Sequence, residues 1–166
     1  MQYPKNIMAV DPSVTSCGLV IIDFEKKILL AENFGYTIKN ASEIDRIKRS
    51  LEIIQKIVTI GRKMDCTYIA VEGLGISPKN GRIGNQYILA EFLGILKSQI
   101  LLSLKTIPEI VPPASWKKSI IGSGRADKNK IKEVLESQGY KLDTQDMYDA
   151  LGIALHIRME KSYIID

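Results

Sequence analysis

Apolar residues open this chain in short unbroken runs and recur further on at helical spacing. NIMAVD (6–11) is apolar almost to Asp11, and Pro12 keeps Asp11 in an extended backbone, so a strand finishes there without curling into helix. CGLVIID (17–23) follows a tight SVTS turn and KILLAENFGYTI (27–38) follows FEKK, which together predict an antiparallel three-stranded meander. Ile44, Ile47, Leu51, Ile54, Ile57 and Val58 give residues 41–64 a helical period. TYIAVEG (67–73) reads as strand, residues 85–104 as a long helix and 107–111 as a short strand before Pro112-Pro113. ASWKKSII starts a helix, NKIKEVLESQG is a short amphipathic helix ending on glycine, and a last helix runs from Asp143 or Thr144 to about Glu160.

This order is a mixed α/β plan in one domain. A helical crossover from the meander back to 67–73 lays that strand parallel to the first. Asp11 and Glu72 then emerge at neighbouring strand ends on one edge, where open α/β sheets place their sites.

Length and composition change little. At 166 residues the chain can bury a substantial core, and its apolar and charged fractions are those of an ordinary globular protein. A formal charge of +4 favours an anionic partner, although surface lysine also serves solubility. Cys17 and Cys66 show no paired spacing and read as reduced core thiols of a cytoplasmic protein. The first residues lack an export signal. YILAEFLGILKSQILLSL carries Glu91, Lys97 and Gln99, so it reads as a buried or interface helix and not as a membrane span. Being apolar on more than one face, it suggests dimerisation, with Leu93 and Leu96 as interface positions.

The acids carry the chemistry. An ionised carboxylate beside a core is costly without a cation or donor. Singly, Asp11 reads equally as a turn residue and Glu72 as a strand-end glutamate, while Asp146 reads first as a helix-capping acid. Asp149 lies in the second helical turn among Ala150, Leu151, Ile153 and Ala154, on the face it shares with Asp146. Four converging carboxylates suit Mg²⁺ or Mn²⁺, and two such ions roughly 4 Å apart can clamp a phosphodiester. Zinc is disfavoured, because cysteine and histidine take no evident part; His156 reads as structural or surface.

WKKSIIGSGRADKNKIK (116–132) sets glycines among cations before a helix, offering donors and charge to phosphate, or else a turn with a solvated lysine face. It lacks Walker spacing. Lys128 opens the helix and can neutralise charge at a scissile phosphorus. Lys79, Arg82, Lys117, Lys118 and Arg125 are candidate phosphate contacts. Trp116 reads as a packing anchor, with base stacking as the alternative.

AVDPS, the glycine strand after it, AVEG, IIGSGRADK and DMYDALGIAL together resemble the RuvC family of Holliday junction resolvases, in the ribonuclease H-like superfamily. The likeness runs from Asp11 to about Leu155 and is nearer the divergent, phage-borne branch, whose setting is a bacterial host cell. It implies a five-stranded mixed sheet flanked by helices, one nuclease domain over 1–166, and a homodimer that makes paired nicks in branched DNA. It further implies Mg²⁺ or Mn²⁺, two per site, and no small-molecule cofactor. Asp11, Glu72, Asp146 and Asp149 take the places of the catalytic acids, with Lys117 and Lys128 at the basic positions near the scissile phosphate. Asp11 would bridge two ions, Glu72 hold one side and Asp146 with Asp149 the other; in-line attack by water leaves a 5′-phosphate and a 3′-hydroxyl.

The family's aromatic wedge, three positions after the glutamate, is Gly75 here, followed by Ile76. Base stacking is thereby lost, which implies a wider range of substrates including forks and flaps. Competing readings are an actin-like phosphate loop, which needs more chain than this, a related nuclease acting on RNA or RNA–DNA hybrids, and a non-catalytic branched-DNA binding protein. Retention of four acids disfavours the last, since a pure binder gains nothing from negative charge facing phosphate.

Overall fold

The structure is a computed structural model that describes residues 6–38, 40–75 and 83–162. Strands β1 (Asn6–Pro12), β2 (Ser16–Asp23) and β3 (Ile28–Gly35) form the antiparallel meander. Helix α1 (Glu43–Lys63) crosses over to β4 (Cys66–Glu72), which pairs parallel to β1, and β5 (Glu109–Val111) pairs parallel to β4. The sheet order is β3-β2-β1-β4-β5. Ser42 starts α1 by accepting a hydrogen bond from the Asp45 amide, and Arg62 and Lys63 lie in its last turn against the helix dipole.

Side-chain alternation divides the core into two. Met8, Val10, Leu19, Ile21, Ile69 and Val71 pack under α1 and α2 (Ile83–Leu104). Ile7, Ala9, Val20, Ile22 and Ala70 pack under α5 (Gln145–Lys161), with Ile131 and Leu135 of α4 (Lys128–Ser137). Asp11 continues the odd positions of β1 and Glu72 the even positions of β4, so both fall on the α5 side.

The expected elements form, with instructive differences. Pairing of the third strand stops at Gly35; beyond it the Ile38 amide bonds to the Val14 carbonyl (3.1 Å), capping the meander's turn. The strand expected over 107–111 shrinks to three residues, because Lys105 is left-handed (φ 57°) and Pro108 has no N–H to donate. The helix begun by Pro113 is α3 (Pro113–Trp116), which widens into a π turn over Lys117–Ile121 and stops at Gly122 (φ 90°). Gly139 (φ 94°) follows α4, as its place at the end of the amphipathic pattern predicts. Cys17 is buried and Cys66 half-buried, both free thiols.

Helix α2 corrects one expectation. Leu93 and Leu96 are buried in the protomer's own core with Phe92 and Ile100, so they are not interface positions. Tyr87 (73% exposed), Ala90, Gly94, Leu101 and Leu102 (63%) lie outward instead. Asn85–Leu104 is long and apolar enough to cross a membrane by length and composition, yet its inner face belongs to the core and Glu91 pairs with Arg46 of α1 at 3.2 Å.

Candidate active site

Asp11 is 6% exposed at the end of β1. Glu72 is the last residue of β4, next to it across the parallel pair. The start of α5 crosses above them, and Gly18 of β2 makes that possible: a Cβ there would stand 2.1 Å from the Asp146 carbonyl oxygen. Gly18→Ala should therefore lift the first turn of α5, costing about 1–3 kcal/mol of stability. Thermal melting and cleavage assays would register both effects.

Thr144 caps α5 by accepting from the Met147 amide (3.3 Å), so Asp146 is not the cap. Asp146 instead accepts a hydrogen bond from the Ser16 hydroxyl. Asp149 accepts one from Gln145 Nε2 (2.9 Å) and Glu72 one from the Trp116 indole N–H (2.9 Å).

The four acids act on one another electrostatically. Burial pushes the Asp11 carboxyl well above the usual range, and the charges of Glu72 and Asp149, a hydrogen-bonding approach to Glu72 and the charge of Asp146 push it further. Asp149 is raised to about 6, chiefly by burial; Gln145 opposes this, Glu72 adds to it, and Lys117 and Lys128 lower it from a distance. Among the described residues none of the four carboxylates forms an ion pair with lysine or arginine. Nor are any three acid, histidine or cysteine side chains there turned to one point as metal ligands. The donors are all hard oxygens around a buried, uncompensated acid, which fits Mg²⁺ or Mn²⁺ in kind.

The other expected site residues divide. The charges of Lys117 and Lys128 reach Asp149 and lower its carboxyl pKa. Lys118 and Arg125 are exposed on the same basic segment. Lys79, Arg82 and Ile76 lie outside the described residues; Gly75 is exposed at the end of the segment leaving β4. Trp116 is fully buried, which excludes base stacking. His156 is structural: its Nδ1 meets the Ser119 hydroxyl at 2.8 Å and its Nε2 lies 3.5 Å from Glu160. Sequence reasoning missed Ser16, Gln145 and the Trp116 indole as partners of the acids. Only Gln145 carried a readable signal, its spacing of four from Asp149.

Residues 7–156 match the family described as crossover junction endodeoxyribonuclease RuvC. The chain belongs to the RuvC family. As a RuvC-type crossover junction endodeoxyribonuclease it is similar to the protein of that name from Prochlorococcus marinus (strain MIT 9301), 31% identical over 157 residues, spanning 90% of this chain and 93% of the relative. Its fold is that of Thermus thermophilus RuvC, with a TM-score of 0.72 at 21% identity, covering 93% of this chain and 96% of the other. T. thermophilus RuvC in complex with Holliday junction substrate aligns with a TM-score of 0.71 at 18% identity, over 92% and 91% of the two chains. The RuvC fold is ribonuclease H-like, and the meander with two added parallel strands is its five-stranded mixed sheet.

Proposed function

We propose that this protein nicks branched DNA, Holliday junctions first and forks and flaps besides, using two Mg²⁺ or Mn²⁺ ions held by Asp11, Glu72, Asp146 and Asp149. The supporting observation is Asp11, a buried carboxylate facing three others with no ion pair to a described lysine or arginine. Folding tolerates such crowding only at a cost, and divalent cations relieve it. When bound, the cations polarise the phosphodiester and make water a competent nucleophile. The chain's own part is to hold four carboxylates at one sheet edge, with the charges of Lys117 and Lys128 reaching Asp149. Lys117, Lys118, Arg125 and Lys128, with Lys79 and Arg82, contact the DNA backbone and supply salt-dependent affinity. Residues 1–166 act as one nuclease domain, and hydrolysis leaves a 5′-phosphate and a 3′-hydroxyl.

Labelled four-way, forked, flap and linear DNA, and an RNA–DNA hybrid, incubated with and without Mg²⁺, test this reading. The expected result is cation-dependent cutting of branched DNA alone. Equal cutting of linear duplex, or cutting in excess chelator, would sink it. Lys128→Ala should slow single-turnover cleavage by about a hundredfold, as loss of one group stabilising transition-state charge does, a larger effect than the loss of one backbone contact has on DNA affinity.

The homodimer is part of the same reading. Tyr87, Ala90, Gly94 and Leu101 recur at spacings of three, four and seven along the outer face of α2, and the small Ala90 and Gly94 admit close helix approach. A Cβ at Gly94 would meet nothing within 4 Å in the protomer. Gly94→Arg should therefore leave the fold intact and convert dimers to monomers in light scattering after gel filtration. A dimer that survives this change would place the interface elsewhere.

A further inference from the structure

The indole of Trp116 touches the acid cluster without belonging to it. Trp116 is fully buried, and its Nε1–H donates to Glu72 Oε1 at 2.9 Å. The six-membered ring rests on Gly152 of α5, where a Cβ would come within 2.4 Å of Cζ3 and 2.6 Å of Cε3. Gly152 is three residues after Asp149 and so lies on the same side of the helix. Lys117, the next residue after Trp116, has its Nζ 5.5 Å from the ring centre. One rigid side chain thus links the end of β4, the acid-bearing helix and the first residue of the π turn.

The donor's chemistry matters as much as its place. An indole N–H donates and never accepts, and it carries no charge. A lysine or arginine here would orient Glu72 equally well, but its charge would oppose a divalent cation. A neutral donor fixes one carboxylate oxygen and leaves the charge of the group, and its second oxygen, to the centre shared with Asp11.

We propose that Trp116 is a positioning residue for Glu72: its indole N–H, seated by the gap at Gly152, sets the carboxylate that receives the cation. This rests on the reading of Glu72 as a cation ligand. A packing role alone requires the ring; the positioning role requires the N–H.

The chain has a single tryptophan, so the two are separable. Mn²⁺ is titrated calorimetrically into the full chain without DNA, for wild type, for Trp116→Phe, and for protein carrying benzothienylalanine at position 116, which keeps the indole shape but replaces N–H by sulfur. Both altered proteins should bind Mn²⁺ about 10–100-fold more weakly, as loss of an outer-shell hydrogen bond does, and neither change should matter further once Glu72→Ala is present. Wild-type Mn²⁺ affinity in the benzothienyl protein overturns the positioning role and leaves the proposed function standing. Should Trp116→Phe fail to fold, the benzothienyl protein decides alone. If Glu72→Ala binds Mn²⁺ as well as wild type, Glu72 is not a ligand, and both the ligand assignment and this inference fall.

Discussion

Asp11→Asn should abolish cleavage, slowing it by at least about a thousandfold, or roughly 4 kcal/mol of barrier, while DNA binding is kept or tightened. Asparagine has nearly the shape of aspartate, so a side chain only 6% exposed is replaced without a cavity. What disappears is charge. Asp11 stands where the fields of Glu72, Asp149 and Asp146 meet, so its neutralisation removes the centre of any cation site built from the four. The same change relieves repulsion of approaching phosphates, and a neutral amide is cheaper to bury than a carboxylate. Activity should therefore fall as affinity and stability hold or rise, a combination that general damage to the fold cannot produce. Single-turnover cleavage and fluorescence anisotropy in Ca²⁺ or chelator measure the two halves. Cleavage within tenfold of wild type would remove Asp11 from the chemistry.

Much of this site could be read from residue order, for a simple reason. Strand ends, helix starts and i, i+3 spacings are local, and a parallel crossover brings the ends of β1 and β4 to one edge wherever it occurs. Asp11, Glu72, Asp146 and Asp149 are all placed by such local rules. The bond from Trp116 to Glu72 joins residues 44 apart and depends on how a three-helix layer settles on the sheet, which no periodicity encodes. Helix α2 failed for another reason. With apolar residues nearly all round, its pattern cannot tell the core face from the outer one, so Leu93 and Leu96 read as interface positions although they pack inward. The short β5 turned on one proline, Pro108, whose missing N–H outweighs the apolar residues around it.

Metal-free protein should lose stability as pH rises from about 4 to 8, and Asp149→Asn should remove much of that loss. The Asp149 carboxyl rises from an ordinary 3.8 to about 6 in the folded protein, mainly through burial. Between those values the folded state holds a proton that the unfolded state has released, so the slope of stability against pH is negative there. The full shift corresponds to about 3 kcal/mol, and partial exposure of the group brings the expected cost nearer 1–2 kcal/mol. Asp11, raised for the same cause and by its acidic neighbours, adds in the same direction. At pH 8 Asp149→Asn should then melt several degrees above wild type, at roughly 2–4 °C per kcal/mol for a chain of this size, and the two should converge near pH 4. Gln145 can still donate to the amide oxygen of the new side chain, so the helix start is not otherwise disturbed. Added Mg²⁺ should reverse the order at pH 8, because a ligand that binds only the folded state stabilises it by mass action and wild type has the charge to bind it. Calorimetric melts of both proteins across pH 4–8, with and without Mg²⁺, read every part of this. Parallel curves for the two proteins would mean that Asp149 carries no strain for a cation to relieve.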